Sequence, residues 1–260
     1  RIHVRKAIGD SMTITDLCQL MLVAGAAAYL QTLTGFAFGL VMMGAVAILG
    51  LTSLADAAII VGILSVVNSI HILIRGWRDV AWHEFWLVVG PSLAATIVGY
   101  AMLESVAASN LAVLQLILGL VIIAAAAQLV SKPQPLNIRS SASRFIVAGA
   151  AGGLLGGLFA TAGPPLVYLF YRQPMAITSI RVTLVLVFAV GILFRTTLVV
   201  ATGGFPFVAV LWSLLAVPVI LAATEIAHRW PPAMSPKSFR RLTFGLLLAS
   251  GLSLSLKALI

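Results

Sequence analysis

The sequence has a single cysteine, Cys18, which excludes a disulfide within the chain and a cysteine-based metal site. It also has little charge. Only 9% of its 260 residues are Asp, Glu, Lys or Arg, against 61% hydrophobic. A soluble domain of this length carries about a quarter charged residues, so composition points to lipid as the solvent. Alternating segments of about ten residues are missing as well, which argues against a membrane β-barrel. What is present instead is a series of long, continuous apolar runs. In lipid these must be helices, because each backbone N–H and C=O has to be satisfied within its own segment.

Carboxylates are absent from the middle of every run. Asp56, Asp79, Glu84, Glu104 and Glu225 all fall near run ends, so neither an acidic proton relay nor a side-chain cation site is expected. There is no Walker A pattern, no metal-ligand spacing and no nucleophile elbow. The chain is therefore not expected to be an enzyme or to carry a cofactor. The net charge of +9 does not indicate nucleic acid, because its Lys and Arg residues sit in short loops between apolar runs. Membrane lipid is the expected surrounding.

The runs are 14–50, 55–74, 84–103, 110–130, 145–171, 178–202, 206–227 and 239–259. Six are ordinary spans of about 20 residues. Run 14–50 is too long for one crossing, and run 145–171 is too long for one helix yet too short for two. Both contain a break, "TLTGFAFG" at 32–39 and "TAGPP" at 161–165. The polar residues 1–13 ahead of the first run read as a pre-sequence to which no function is attached. That run is too long for a signal-peptide core.

Loop charge decides what the broken runs do. If each crosses once, Arg75, Arg78, Lys132, Arg139 and Arg144 lie on one side and Arg172, Arg181, Arg229, Lys237, Arg240 and Arg241 on the other, which gives no orientation. If each turns back and exits where it entered, all eleven lie on one side. The opposite loops, near 51–55, 104–109 and 203–205, hold none; Arg1, Arg5 and Lys6 ahead of the first run and Lys257 in the last are the exceptions, the first three partly offset by Asp10 and Asp16. Positive charge gathers on the cytoplasmic side, so the second arrangement is preferred. Each half is then one re-entrant hairpin plus three crossings, an odd number, and consecutive halves are inverted. The expected fold is an all-α polytopic membrane protein of two inverted repeats, 14–130 and 144–260, joined by the polar linker 131–143 (SKPQPLNIRSSAS). A short internal match agrees. "GFAFGLV" (35–41) lies over "TAGPPLV" (161–167) without a gap, and the same offset places Ser69 over Arg195.

A helix broken at membrane depth leaves orphan backbone groups that lipid cannot satisfy, so the break packs in protein or lines a wet cavity. Gly163, Pro164 and Pro165 read as a turn and the start of a second half-helix at about Pro164, where proline wastes no donor. Gly35 to Gly39 do the same in the first half. Half-helix N-termini carry partial positive charge and free N–H donors, so two that meet near the midplane form an anion site; a plain kink with tight packing is the alternative.

Arg195, in "GILFRTTLVV", lies about seven residues inside its run. It is read as a guanidinium gripping an oxyanion, or else as a snorkelling or structurally paired arginine. Asn68 and His71 share a helix face at i and i+3. His71 is the candidate for proton coupling, with a packed histidine bonded to a carbonyl as its alternative. Gln31, Thr32 and Thr34 lead into the first break and Thr161 into the second, to donate to a substrate or to cap the half-helices. The glycine cluster "GAAGGLLGGLF" (149–159) reads as close helix packing.

These residues resemble a known family. "GGLLGGLFATAGPPLVYLFYR" (152–172) is similar to the second signature of the sulfite exporter TauE/SafE family, and "LTGFAFGLVMM" (33–43) to its first. "RDVAWHEFWLVVGPSLAATIVG" (78–99) resembles its basic loop and third segment, and "FRRLTFGLLLASGLSLSL" (239–256) its C-terminal helix. Ala162 stands where members often have glycine, and Met43-Gly44 where the first signature often continues to proline. The resemblance implies a multi-pass transporter of the bacterial inner membrane whose substrate is sulfite or an organosulfur anion such as a sulfonate. The expected mechanism is alternating access around the two breaks. An anion channel with the same basic site and no alternating gates is the other reading. Oligomeric state is left open, a homo-oligomer included.

Overall fold

The computed structural model describes residues 14–52, 54–109, 111–130, 136–160, 162–202 and 207–230, with Leu248, Leu252 and Ser255. Among the described residues there are helices and no strand. In chain order these are α1 (Ile14–Thr34), α2 (Ala37–Leu49), α3 (Leu54–Gly76), α4 (Trp82–Ser109), α5 (Leu111–Val130), α6 (Ala142–Phe159), α7 (Gly163–Tyr171), α8 (Ile177–Ala201) and α9 (Phe207–Arg229), with a single 3-10 turn at Trp77–Asp79. The last apolar run, 239–259, lies largely outside the described residues. Among them, α1, α3, α4, α6, α8 and α9 contain stretches long and apolar enough to cross a membrane.

Both long runs break where glycine permits it. α1 stops at Thr34 and α2 starts at Ala37. Gly35 between them has φ +83°, in the left-handed region, and a Cβ there would lie 3.2 Å from the Arg181 Cα. No other residue combines that backbone with that closeness without strain. α6 ends on Ala160, also left-handed at φ 53°. The second helix begins at Gly163, one residue before the proline expected to start it. The two hairpins are lopsided. Their first legs have 21 and 18 residues and their second legs 13 and 9.

The α6–α7 pair returns to its starting end. Leu136 N–H donates to the Arg172 carbonyl at 2.7 Å, and Ser140 N–H donates to Gln173 Oε1 at 2.9 Å. Gln173 Nε2 donates back to Ser140 Oγ at 3.1 Å. The chain thus leaves this hairpin beside the point where it came in.

Helix directions follow from which residues touch. Gly76 packs on Val182 and Gly62 on Ile192, so α3 and α8 are antiparallel. α4 runs parallel to α8: Ala81 N–H donates to Thr183 Oγ1 near one end, and the Tyr100 and Thr202 hydroxyls are 3.0 Å apart near the other. α9 runs parallel to α1, with Gly25 on Val219 and the Tyr29 hydroxyl donating to the Trp230 carbonyl. The most extensive interface is α4 on α6, followed by α1 on α9. Among the described residues, the helices before and after the linker therefore interlace, each hairpin packing on a long helix from the other side of the linker.

The α4–α6 interface is made by glycine. Gly149, Gly153 and Gly157, each four residues from the next, lie against the backbone of Val88, Ser92 and Thr96 in register. Small residues at this spacing let two helix backbones approach closely where no hydrophobic effect drives them together. Elsewhere the interior is filled by Phe38, Met42, Met43, Phe159 and Phe170, while Leu22, Ile74, Val147 and Leu214 point outward, as a lipid-facing surface requires.

Of the eleven loop Lys and Arg residues, the seven that are described gather at one end of the bundle. Glu225 ties Arg75 to Arg229 at 3.0 and 2.6 Å, Arg139 pairs with Glu84 at 2.7 Å, and Arg172 is held against Leu136. Arg181 lies under Gly35, Arg78 in the turn after Gly76, and Arg144 in the first turn of α6.

Candidate functional site

Both breaks line one internal cavity. The first hairpin contributes Gln31, Phe36, Phe38 and Gly39, and the second Gly153, Gly156, Ala160, Ala162 and Gly163. Ser65 of α3, Ser92 and Thr96 of α4, and Val187, Phe188, Gly191 and Ile192 of α8 complete the wall. Ser65 sits halfway along α3, and Phe188 and Gly191 straddle the middle of α8, so the cavity lies at half the depth of the bundle. About 30 Å³ of it is open to the centres of water molecules. That is room for roughly two waters, or for one very small anion.

Among the described residues no wall side chain is ionisable. The polar groups are instead weighted toward donors. α2 begins without a side-chain cap, leaving the N–H groups of Ala37, Phe38 and Gly39 at its start. α7 also lacks a side-chain cap, but Pro164 and Pro165 occupy its second and third positions and bring no N–H. The second hairpin therefore offers its dipole and few direct donors, and the first offers both. Ser65 and Ser92 are buried, and among the described residues their hydroxyls have no hydrogen-bond partner. Thr96 is committed elsewhere, donating to the carbonyls of Ser92 at 2.8 Å and Gly153 at 3.2 Å.

Of the residues proposed from sequence, Gln31, Gly39 and Gly163 are on the wall. Asn68 stands immediately behind Gln31, its Nδ2 donating to Gln31 Oε1 at 2.9 Å. Thr34 shapes the break, its hydroxyl donating to the Leu30 carbonyl at 2.7 Å and its own carbonyl accepting from the Tyr171 hydroxyl at 2.7 Å. Gly35 faces Arg181, and Pro164 is buried in the start of α7; neither is on the wall. Thr161 lies outside the described residues.

Arg195 is off the wall too. It is only 3% exposed, one helical turn beyond Ile192, and its Nε donates to the Gly157 carbonyl at 3.0 Å in the last turn of α6. Its guanidinium carbon lies 5.8 Å from the centre of the Tyr100 ring. The cation therefore adjoins the cavity and caps a helix C-terminus, where positive charge is favourable. His71 is not on the wall. It lies at the arginine-rich end, 3.5 Å from Glu225 and with its ring centre 6.2 Å from that of His228. Sequence reasoning missed Ser65, Ser92 and Thr96. The signal for the last two is the spacing of "SLAAT", which places Ser92 and Thr96 one turn apart beside Pro91; Ser65 has none.

A family model described as Sulfite exporter TauE/SafE matches residues 20–254. The chain is 38% identical over 246 residues to the probable sulfite/organosulfonate exporter TauE of Cupriavidus necator, covering 95% of this chain and 96% of that one. No solved structure matches the chain. Family, relative and apolar helices agree on a multi-pass transporter of the bacterial inner membrane and not an enzyme. The chain belongs to the sulfite exporter TauE/SafE family.

Proposed function

We propose that this protein is a secondary transporter of a small anion of the sulfite or organosulfonate class, with the central cavity as its binding site. The observation that carries the reading is the wall itself. Among the described residues, two helix starts without a side-chain cap, two buried serines with no hydrogen-bond partner and the Gln31 amide share a cavity whose wall holds no carboxylate. Arg195 supplies a full positive charge one turn beyond the wall residue Ile192, close enough in a low dielectric to favour an anion. The cavity's size favours sulfite, the smallest anion of the class, over a longer sulfonate. The Cupriavidus relative, a probable sulfite/organosulfonate exporter, supports the same chemistry.

Alternating access between two inverted halves is the mechanism that fits. α3 and α8, the second elements after each hairpin turn, are antiparallel, and each hairpin's long leg runs parallel to a helix of the other half. Pro91 lies inside α4 and Pro218 inside α9, 127 residues apart, against an offset of 126 between the hairpin motifs. Inverted halves that interlace around one site can rock to open it to either side in turn. Counterflow in liposomes tests this. Unlabelled sulfite inside should accelerate uptake of radiolabelled sulfite from outside. Flux without such trans-stimulation would refute alternating access and leave a channel.

A further inference from the structure

Behind the cavity wall a buried chain of hydrogen bonds joins three helices. Thr224 of α9 donates its hydroxyl to Asn68 Oδ1 on α3, and Asn68 Nδ2 donates to Gln31 Oε1 on α1 at 2.9 Å. Thr224 and Asn68 are 0% exposed and Gln31 1%. A hydroxyl has one proton, and an amide has one donating and one accepting edge. Once Thr224 gives its proton to Asn68 Oδ1, the donor and acceptor assignments of the chain are fixed. The Asn68 nitrogen must donate to Gln31, the Gln31 oxygen must accept, and Gln31 Nε2 remains. Among the described residues that nitrogen has no partner, and Gln31 is on the cavity wall.

We propose that Thr224 is a positioning residue that sets the donor polarity of the anion site. Through Asn68 it holds the Gln31 side chain with its N–H₂ edge toward the cavity and its oxygen turned away. This rests on the cavity being the sulfite site. The polarity matters because sulfite offers only acceptor oxygens. A Gln31 amide free to rotate would present its own carbonyl oxygen to the anion for part of the time, replacing an attraction by a repulsion. Thr224 does not touch the cavity, so its effect passes entirely through Gln31.

The experiment is sulfite titration of the purified full chain in detergent, at matched ionic strength, alongside melting without sulfite. A hydrogen bond to a charged group corresponds to roughly 10-fold in affinity or more, so Thr224→Val should weaken sulfite binding about 10-fold. Thr224→Ser, which keeps the hydroxyl, should bind within about twofold of the native protein. Gln31→Leu should weaken binding at least as much as Thr224→Val. The double variant should bind no worse than Gln31→Leu alone, because a residue acting through another has nothing left to position. A general packing defect would instead add to the loss and lower the melting temperature of Thr224→Ser as well. Native affinity in Thr224→Val, or additive losses in the double variant, would overturn the positioning role while leaving the site intact. If Thr224→Val does not fold, Gln31→Leu with unchanged affinity overturns it. No saturable sulfite binding by the native protein would overturn both the site and its polarity.

Discussion

Adding one methyl group at Gly153 puts the close approach of α4 and α6 to the test. A Cβ on Gly153 would lie 2.0 Å from the Ser92 carbonyl oxygen and 2.7 Å from the Ser92 Cα. Carbon and oxygen settle at about 3.3–3.6 Å, so the backbones must part by roughly 1.5 Å. No side chain can swing away to relieve this, since the obstructing atoms are backbone. The helices are also pinned in register above and below, at Gly149 on Val88 and Gly157 on Thr96. Overpacking of this kind costs about 1–3 kcal/mol, and an unyielding backbone contact belongs at the upper end. The better helix propensity of alanine returns up to about 1 kcal/mol, leaving a net loss of about 2 kcal/mol. Gly156→Ala is the control. Its Cβ would meet only Ala162 Cβ at 3.6 Å and Thr96 Oγ1 at 4.0 Å, which is ordinary contact. Thermal unfolding of the detergent-purified protein, followed by tryptophan fluorescence, reads the difference. At about 2–4 °C per kcal/mol for a chain of this size, Gly153→Ala should melt roughly 4–8 °C lower and Gly156→Ala no lower than the native protein. Equal melting of the two variants would refute the packing described here.

Gly35→Ala should lose about 1–2 kcal/mol in the same melt, because alanine disfavours the left-handed backbone that the break requires. Arg139→Ala should lose about 1–3 kcal/mol by leaving the buried Glu84 carboxylate unpaired, and adding Glu84→Gln should recover part of that loss. Arg195→Ala should weaken sulfite binding about 10-fold or more in the titration, with helical content by circular dichroism unchanged; native affinity would remove Arg195 from the site.

The breaks are legible in the sequence because they are local. Gly35, and Gly163-Pro164-Pro165, can be read without knowing what packs on them, and the structure places both within two residues of expectation. Loop charge is similarly readable, and the seven described arginines do collect at one end of the bundle. What the sequence conceals is partnership. Serine and threonine in apolar helices usually bond back to the carbonyl four residues earlier, as Thr32, Thr196 and Thr197 do here. Nothing local distinguishes them from Ser65 and Ser92 on the cavity wall, whose hydroxyls have no partner among the described residues. Arg195 illustrates the same division. Its depth follows from counting residues, but its acceptor is a carbonyl at the end of α6, 38 residues away in sequence. A backbone acceptor carries no side-chain signature to search for.

A wall of uncharged donors suits a protein that must release what it binds. A guanidinium in direct bidentate contact with sulfite would hold it with a full charge and two aligned hydrogen bonds. Helix N-termini offer about half a charge, carried on backbone groups that belong to the two hairpins. Those hairpins come from different halves, and each packs along a helix of the other. Under the proposed alternating access, each hairpin would move with the helix it packs on, which would separate the two partial charges without discharging any residue. Arg195, fixed to Gly157 on the second hairpin's long leg, would travel with that hairpin. The Gln31 amide stays with the first hairpin, held through Asn68 and Thr224. On that proposal binding strength would depend on how the two hairpins meet, which is the condition alternating access imposes on a carrier.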